Sequence, residues 1–112
     1  MERHLKFSAR PGENAVVMDV VGQIDMGTSP ALRKALLESL GGTGRLAINL
    51  TEVTYVDSSG IASLLEVLQE GKKSKKRVIL FGLTPAVLYV LQLTKLNGIF
   101  EIHENEVQAL EA

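Results

Sequence analysis

Apolar positions in this chain follow two rhythms, and the boundaries between them mark its elements. Ala15 to Val21 (Ala-Val-Val-Met-Asp-Val-Val), Arg45 to Leu50 and Val78 to Phe81 are compact runs rich in β-branched residues, as strands are. Between them, Leu32, Ala35, Leu36 and Leu40 recur at helical spacing, as do Ile61, Leu64, Leu65 and Leu68. A further segment, with Val87, Leu88, Val90, Leu91 and Leu93, is apolar nearly all round, which predicts a helix that is deeply packed or that meets a partner.

Punctuation residues fit these boundaries. Leu5 to Ala9 reads as a short first strand, and Arg10-Pro11-Gly12-Glu13-Asn14 as the turn of an antiparallel hairpin into the strand from Ala15. Gly22 to Gly27 reads as a loop. Thr28-Ser29-Pro30 starts the first helix, with Ser29 as N-cap and Pro30 in the first turn, and Gly41-Gly42 ends it. After the strand from Arg45, Thr51 to Thr54 reads as a connector that delivers Tyr55-Val56 to a turn. The second helix is expected from Ser58 to Glu70, stopped by Gly71. Thr84-Pro85 repeats the cap-plus-proline start, and the third helix is expected to reach Leu96, capped by Asn97-Gly98. Ile99 to Ile102 is a last short strand. Glu104 to Ala112 reads as a terminal helix that bears acids and no cation, so its end is expected to fray. Alternating strands and helices after a hairpin predict an α/β fold: one domain over 1–112, a mixed, mostly parallel sheet of four to five strands and four helices.

Composition narrows the function. A chain of 112 residues with 46% hydrophobic content can bury a core without metals or disulfides. The absence of cysteine excludes thiolate chemistry, redox switching and cysteine-ligated zinc. A net charge of −1 with mixed signs, few aromatics and no Trp argues against nucleic-acid binding. Met1 to Glu13 has no signal-peptide pattern. Val78 to Thr94 carries no charge over 17 residues but is interrupted by Gly82 and Thr84-Pro85, so strand, turn and buried helix describe it better than a membrane span, which needs about 20 apolar residues. The expectation is a cytoplasmic protein with no direct membrane insertion. Lys72-Lys73-Ser74-Lys75-Lys76-Arg77 is the one charge cluster, read first as a solvated loop at a helix C-terminus and second as a docking patch for an acidic partner or lipid headgroup.

Candidate chemistry gathers at Asp57-Ser58-Ser59-Gly60, where a strand runs into a helix. A serine or aspartate there is first a helix cap, stabilising by ~1 kcal/mol. The position also lies at the C-terminal end of a parallel strand, where open α/β sheets place their sites. Gly60 leaves room beside the hydroxyls, and a phosphate on Ser58 would meet free N–H groups and the helix dipole. Such a phosphate would be repelled by Asp57 and by Asp25, changing the charge of a binding surface without refolding the domain. Catalytic patterns are missing: the serine does not sit in Gly-x-Ser-x-Gly, His4 and His103 lie near the termini, Gly41-Gly42-Thr43-Gly44 lacks the P-loop lysine, and no metal-ligand spacing occurs. The chain is therefore read as a non-enzymatic signalling switch with no catalytic residues, no metal and no cofactor.

Two stretches carry a family resemblance: Gly22-Gln23-Ile24-Asp25 followed by Thr28 to Leu37, and Asn49-Leu50 with Val56 and Asp57-Ser58-Ser59-Gly60-Ile61. On these residues the chain resembles the STAS family, and most of all its small, free-standing bacterial anti-sigma factor antagonists. The resemblance extends from about residue 5 to the end. It implies that a GHKL-type serine kinase, itself the anti-sigma factor, spends its ATP on phosphorylating the first serine of the turn, Ser58, with Ser59 as the alternative. It implies that the unphosphorylated form binds that kinase and frees a sigma factor, and that a PP2C-type phosphatase resets the switch. Asp25, Asp57, Ser58, Ser59 and Gly60 would form the partner-binding surface of a monomer. The same family also supplies interaction modules, including small subunits bound to the ATPase of phospholipid-trafficking ABC transporters. Those relatives often depart from Asp-Ser-Ser-Gly at the turn.

Overall fold

A computed structural model describes residues 4–112. The elements run β1 (Leu5–Pro11), β2 (Val16–Ile24), α1 (Ser29–Gly41), β3 (Arg45–Val56), α2 (Ser58–Lys73), β4 (Arg77–Phe81), α3 (Pro85–Leu93), β5 (Glu101–His103) and α4 (Glu106–Glu111). The five strands form one sheet in the order β1-β2-β3-β4-β5. β1 and β2 are antiparallel, and the other pairs are parallel. This is the mixed, mostly parallel architecture that the alternating pattern predicts. Of the segment read as lacking a signal peptide, Met1 to Arg3 lie outside the described residues.

Both faces of the sheet are covered where β4 lies, so Val78 to Phe81 reads as an unbroken apolar run. Leu46 and Ile48 of β3 and Val78 and Leu80 of β4 join the main core with Leu32, Leu36 and Leu40 of α1 and Ile61, Leu64 and Leu68 of α2. The residues between them point the other way, and Ala47, Ile79 and Phe81 pack with Val17 and with Ala109 of α4. Val87 and Leu91 of α3 join the main core, while Tyr89 and Leu93 stay exposed, so α3 is packed on one side only.

Several local expectations are corrected. Thr51 to Thr54 is not a connector: β3 continues through it to Val56, because β2 pairs with it as far as Ile24↔Val56. Register shifts between Asp19 and Val21 and between Gly22 and Gln23 change the pleat, so Val53 and Val56 are both buried although three positions apart. Ser29 is not the cap of α1. It is a buried first helical residue, and the preceding Thr28 turns its hydroxyl back to donate to the Gln23 carbonyl at 2.8 Å.

Gly71 does not stop α2. It is buried inside the helix, where an added Cβ would lie 2.7 Å from Val78 Cγ2. The helix runs to Lys73, and past its cap Ser74 the chain turns away at Lys75, which adopts φ 58°, with the Lys76 N–H bonding to the Gly71 carbonyl at 2.7 Å. Helix α3 runs to Leu93 and turns away in the same manner at Lys95, φ 60°, before Asn97-Gly98 is reached, with the Leu96 N–H on the Leu91 carbonyl at 2.8 Å. Both are left-handed C-terminal caps built on lysine where glycine is the usual choice.

The terminal helix is held despite its lack of cations, because arginines from the sheet supply the charge. Arg10 bridges Asp19 and Glu106 at 2.5 and 2.6 Å. The Arg45 guanidinium donates to the Leu110 carbonyl, and also to that of Ala112 at 2.8 Å. Of the lysine cluster, Lys72, Lys73 and Lys75 are exposed, whereas Lys76 Nζ reaches the Leu40 carbonyl at the end of α1, 2.7 Å away. No helix among the described residues is long and apolar enough to cross a membrane.

Candidate functional site: the turn between β3 and α2

β3 delivers the chain to the site in a fixed direction. Val56 is buried in the core, and the Asp57 N–H donates to the Ile24 carbonyl at 3.1 Å, carrying the β2–β3 pairing one residue past the strand. Asp57 is therefore the N-cap of α2, in extended conformation. Its Oδ1 accepts the Gly60 N–H at 3.0 Å and the Ser59 hydroxyl at 2.6 Å. Partial burial pushes the Asp57 pKa up, but the Ser59 hydroxyl and the N–H groups of Gly60, Ser59 and Met26 outweigh it and hold the group below its ordinary value.

The serine beside it is left over. Ser58 occupies the first helical position, is exposed, and its hydroxyl has no hydrogen-bond partner among the described residues. The capping role open to either residue in the sequence falls to Asp57, which frees the Ser58 oxygen for chemistry. Ser59 is half-buried and locked to Asp57.

Gly60 has a different physical reason from the open space expected for it. It is buried, and an added Cβ would sit 2.7 Å from both Ile24 Cγ2 and Val56 Cγ2. The missing side chain lets the first turn of α2 lie against β2 and β3, so Gly60 shapes the surface from beneath. The expectation of free N–H groups at this helix end is also corrected. That of Gly60 already serves the Asp57 carboxylate, so a phosphate on Ser58 would compete with it.

Asp25 is buried completely. Its Oδ1 accepts the N–H groups of Gly27 and Thr28 at 2.9 and 3.1 Å, and its carbonyl accepts the Ser29 N–H at 2.8 Å. It shapes the β2–α1 loop, which starts where the Ile24 carbonyl accepts the Asp57 N–H. Met26, which the sequence reading passed over inside a loop, is 76% exposed. Its one available signal was an apolar residue flanked by Asp25 and Gly27. His103 lies on β5, where its Nε2 is 2.9 Å from Glu101. Among the described residues, no group of three or more His, Asp or Glu is placed to hold a metal ion.

The model of the STAS domain matches residues 6–109 of this chain. The chain belongs to the STAS domain family. The anti-sigma-B factor antagonist of Listeria monocytogenes is 33% identical over 88 residues, which cover 78% of this chain and 77% of that protein. Among solved structures, the STAS fold seen here resembles the anti-sigma factor antagonist SpoIIAA in its unphosphorylated form, with a TM-score of 0.79 and 21% identity over 95% of this chain and 94% of the other. It also resembles the phosphorylated form of SpoIIAA, a Bacillus cell fate determinant, with a TM-score of 0.73 and 21% identity over 95% of this chain and 97% of that one. At that identity the likeness fixes the five-stranded sheet and its helices, and leaves the site to be argued from its own geometry.

Proposed function

We propose that this STAS domain is an anti-sigma factor antagonist, a binding switch thrown by phosphorylation of Ser58. The observation that carries the reading is the division of labour at the turn: Asp57 caps the helix and engages Ser59, and the exposed Ser58 hydroxyl is the one left without a partner. The antagonist relative at 33% identity supports it. In its unphosphorylated form the protein binds an anti-sigma factor of the GHKL serine-kinase type and so releases a sigma factor. Transfer of the ATP γ-phosphate to Ser58 Oγ places a charge of about −2 beside an Asp57 that is already ionised. The like charges make this surface a poor partner, and a PP2C-type phosphatase restores it. Ser59 is the poorer acceptor, because its hydroxyl would have to leave the Asp57 carboxylate.

The test is capture of partners from host lysate by tagged wild type and Ser58→Asp, followed by incubation of the captured kinase with ATP and either wild type or Ser58→Ala. The expected result is a kinase of the anti-sigma type held by wild type and not by Ser58→Asp, with phosphate entering wild type alone. An ATPase of a phospholipid transporter held equally by both baits would overturn the reading.

A further inference from the structure

Met26 projects from the site with no part in the fold. At 76% exposed it is the most exposed large hydrophobic side chain among the described residues, although Ile24 and Asp25 just before it are buried. That exposure does not come from a slack loop. The Asp25 carboxylate holds the N–H groups of Gly27 and Thr28, the Thr28 hydroxyl accepts the Asp25 N–H at 2.9 Å, and the Ile24 carbonyl, two positions before Met26, accepts the Asp57 N–H at 3.1 Å. Asp57, whose N–H is bonded to Ile24 at the start of this loop, also caps the helix bearing Ser58, so the loop and the helix start are presented in a set relation.

From this geometry we infer that Met26 is the apolar anchor of the switch surface, inserted into an apolar pocket of the anti-sigma kinase beside the cleft that receives Ser58. The inference rests on the antagonist reading and adds the residue that grips. An unbranched, polarisable methionine adapts to a pocket it did not evolve to fill by shape alone, and methionine is common on surfaces that bind proteins. Its backbone is already ordered, so little freedom of the loop is lost on binding. The chemistry also links affinity to the switch. A phosphate on Ser58 carries a hydration shell next to the anchor, and closing the apolar pocket requires that water to leave.

The experiment measures the dissociation constant of the complex between the anti-sigma kinase captured by wild type and four proteins: wild type, Met26→Gln, Met26→Leu and Val107→Gln. Val107 is a control of the same kind, an apolar residue 63% exposed on α4. All four are expected to unfold at the same temperature. Met26→Gln, of similar shape but polar, is expected to weaken binding by about ten- to a hundred-fold, the loss of one well-buried apolar side chain. Met26→Leu stays within about three-fold, as a volume-conserving swap does, and Val107→Gln matches wild type. Equal affinity for wild type and Met26→Gln would overturn the inference while leaving the antagonist reading intact. An equal loss in Val107→Gln would overturn it as well. If no anti-sigma kinase binds wild type, the functional reading fails first and the anchor with it.

Discussion

The Asp57 carboxylate and the Ser59 hydroxyl lie 2.6 Å apart, and that one hydrogen bond decides which of two neighbouring serines is chemically available. Ser59 is held inward on the cap and Ser58 is left outward at the first position of α2. Phosphorylation of wild type is therefore expected at Ser58 alone. In Ser59→Ala the site should remain Ser58, and mass spectrometry of the phosphopeptide separates the two positions.

Asp57 also fastens the start of α2, because its carboxylate accepts the Gly60 N–H and the Ser59 hydroxyl. Asp57→Ala leaves those donors unmatched and removes the cap, so it should cost about 2 kcal/mol in urea unfolding, the upper part of the range for N-cap deletions. Amide exchange should quicken at Gly60. Unchanged exchange at Gly60 would show that the turn does not depend on this carboxylate.

Acid should act through the same group. Asp57 titrates below its ordinary value of 3.8 in the folded chain. Asp19 is likewise lowered, chiefly by Arg10, and Glu101 is lowered because His103 and Arg77 outweigh its burial. With folded values depressed, the unfolded chain binds more protons in this range, so stability rises with pH there. The contribution is complete above the unfolded carboxylate values and is lost as pH falls through the folded ones. Urea unfolding from pH 6 down to pH 2 should show that loss, and Asp57→Asn should flatten the slope.

Two glycines give opposite outcomes. Gly60→Ala forces a methyl to within 2.7 Å of Ile24 and Val56, and should destabilise by about 1–3 kcal/mol, as overpacking does. Gly41, at the end of α1, has nothing within 4 Å of an added Cβ. There Gly41→Ala should stabilise by about 0.5–1 kcal/mol through the unfolded chain. Thermal or urea unfolding of the pair reads both signs.

Lys75 and Lys95 hold left-handed conformations at the ends of α2 and α3. A side chain there costs roughly 1–2 kcal/mol against glycine, offset in part by the entropy glycine gives the unfolded chain. Lys75→Gly and Lys95→Gly should each stabilise by about 0.5–1 kcal/mol. Loss of stability in either would mean that the lysine side chain contributes more than its strained backbone costs.

Much of this protein is legible in one dimension. The run Val78 to Phe81 announces a strand buried on both faces, the stripe Ile61, Leu64, Leu65, Leu68 announces one helix face, and Asp57-Ser58-Ser59-Gly60 announces the joint. These readings hold because hydrophobic period and turn chemistry are local, set by residues within a few positions of each other. What tertiary structure decided is which neighbour each residue answers to. Thr51 to Thr54 looks like a connector until β2 pairs with it, Gly71 looks like a stop until Val78 packs against it, and Arg45 holds a helix end some 65 positions away. The same holds at the site. The sequence by itself placed two serines and an aspartate on one turn, but the direction in which the turn presents them rests on β2, whose Ile24 carbonyl accepts the Asp57 N–H from 33 positions away. Contacts between distant segments carry no local pattern, because they depend on where the chain returns and not on the residues beside it.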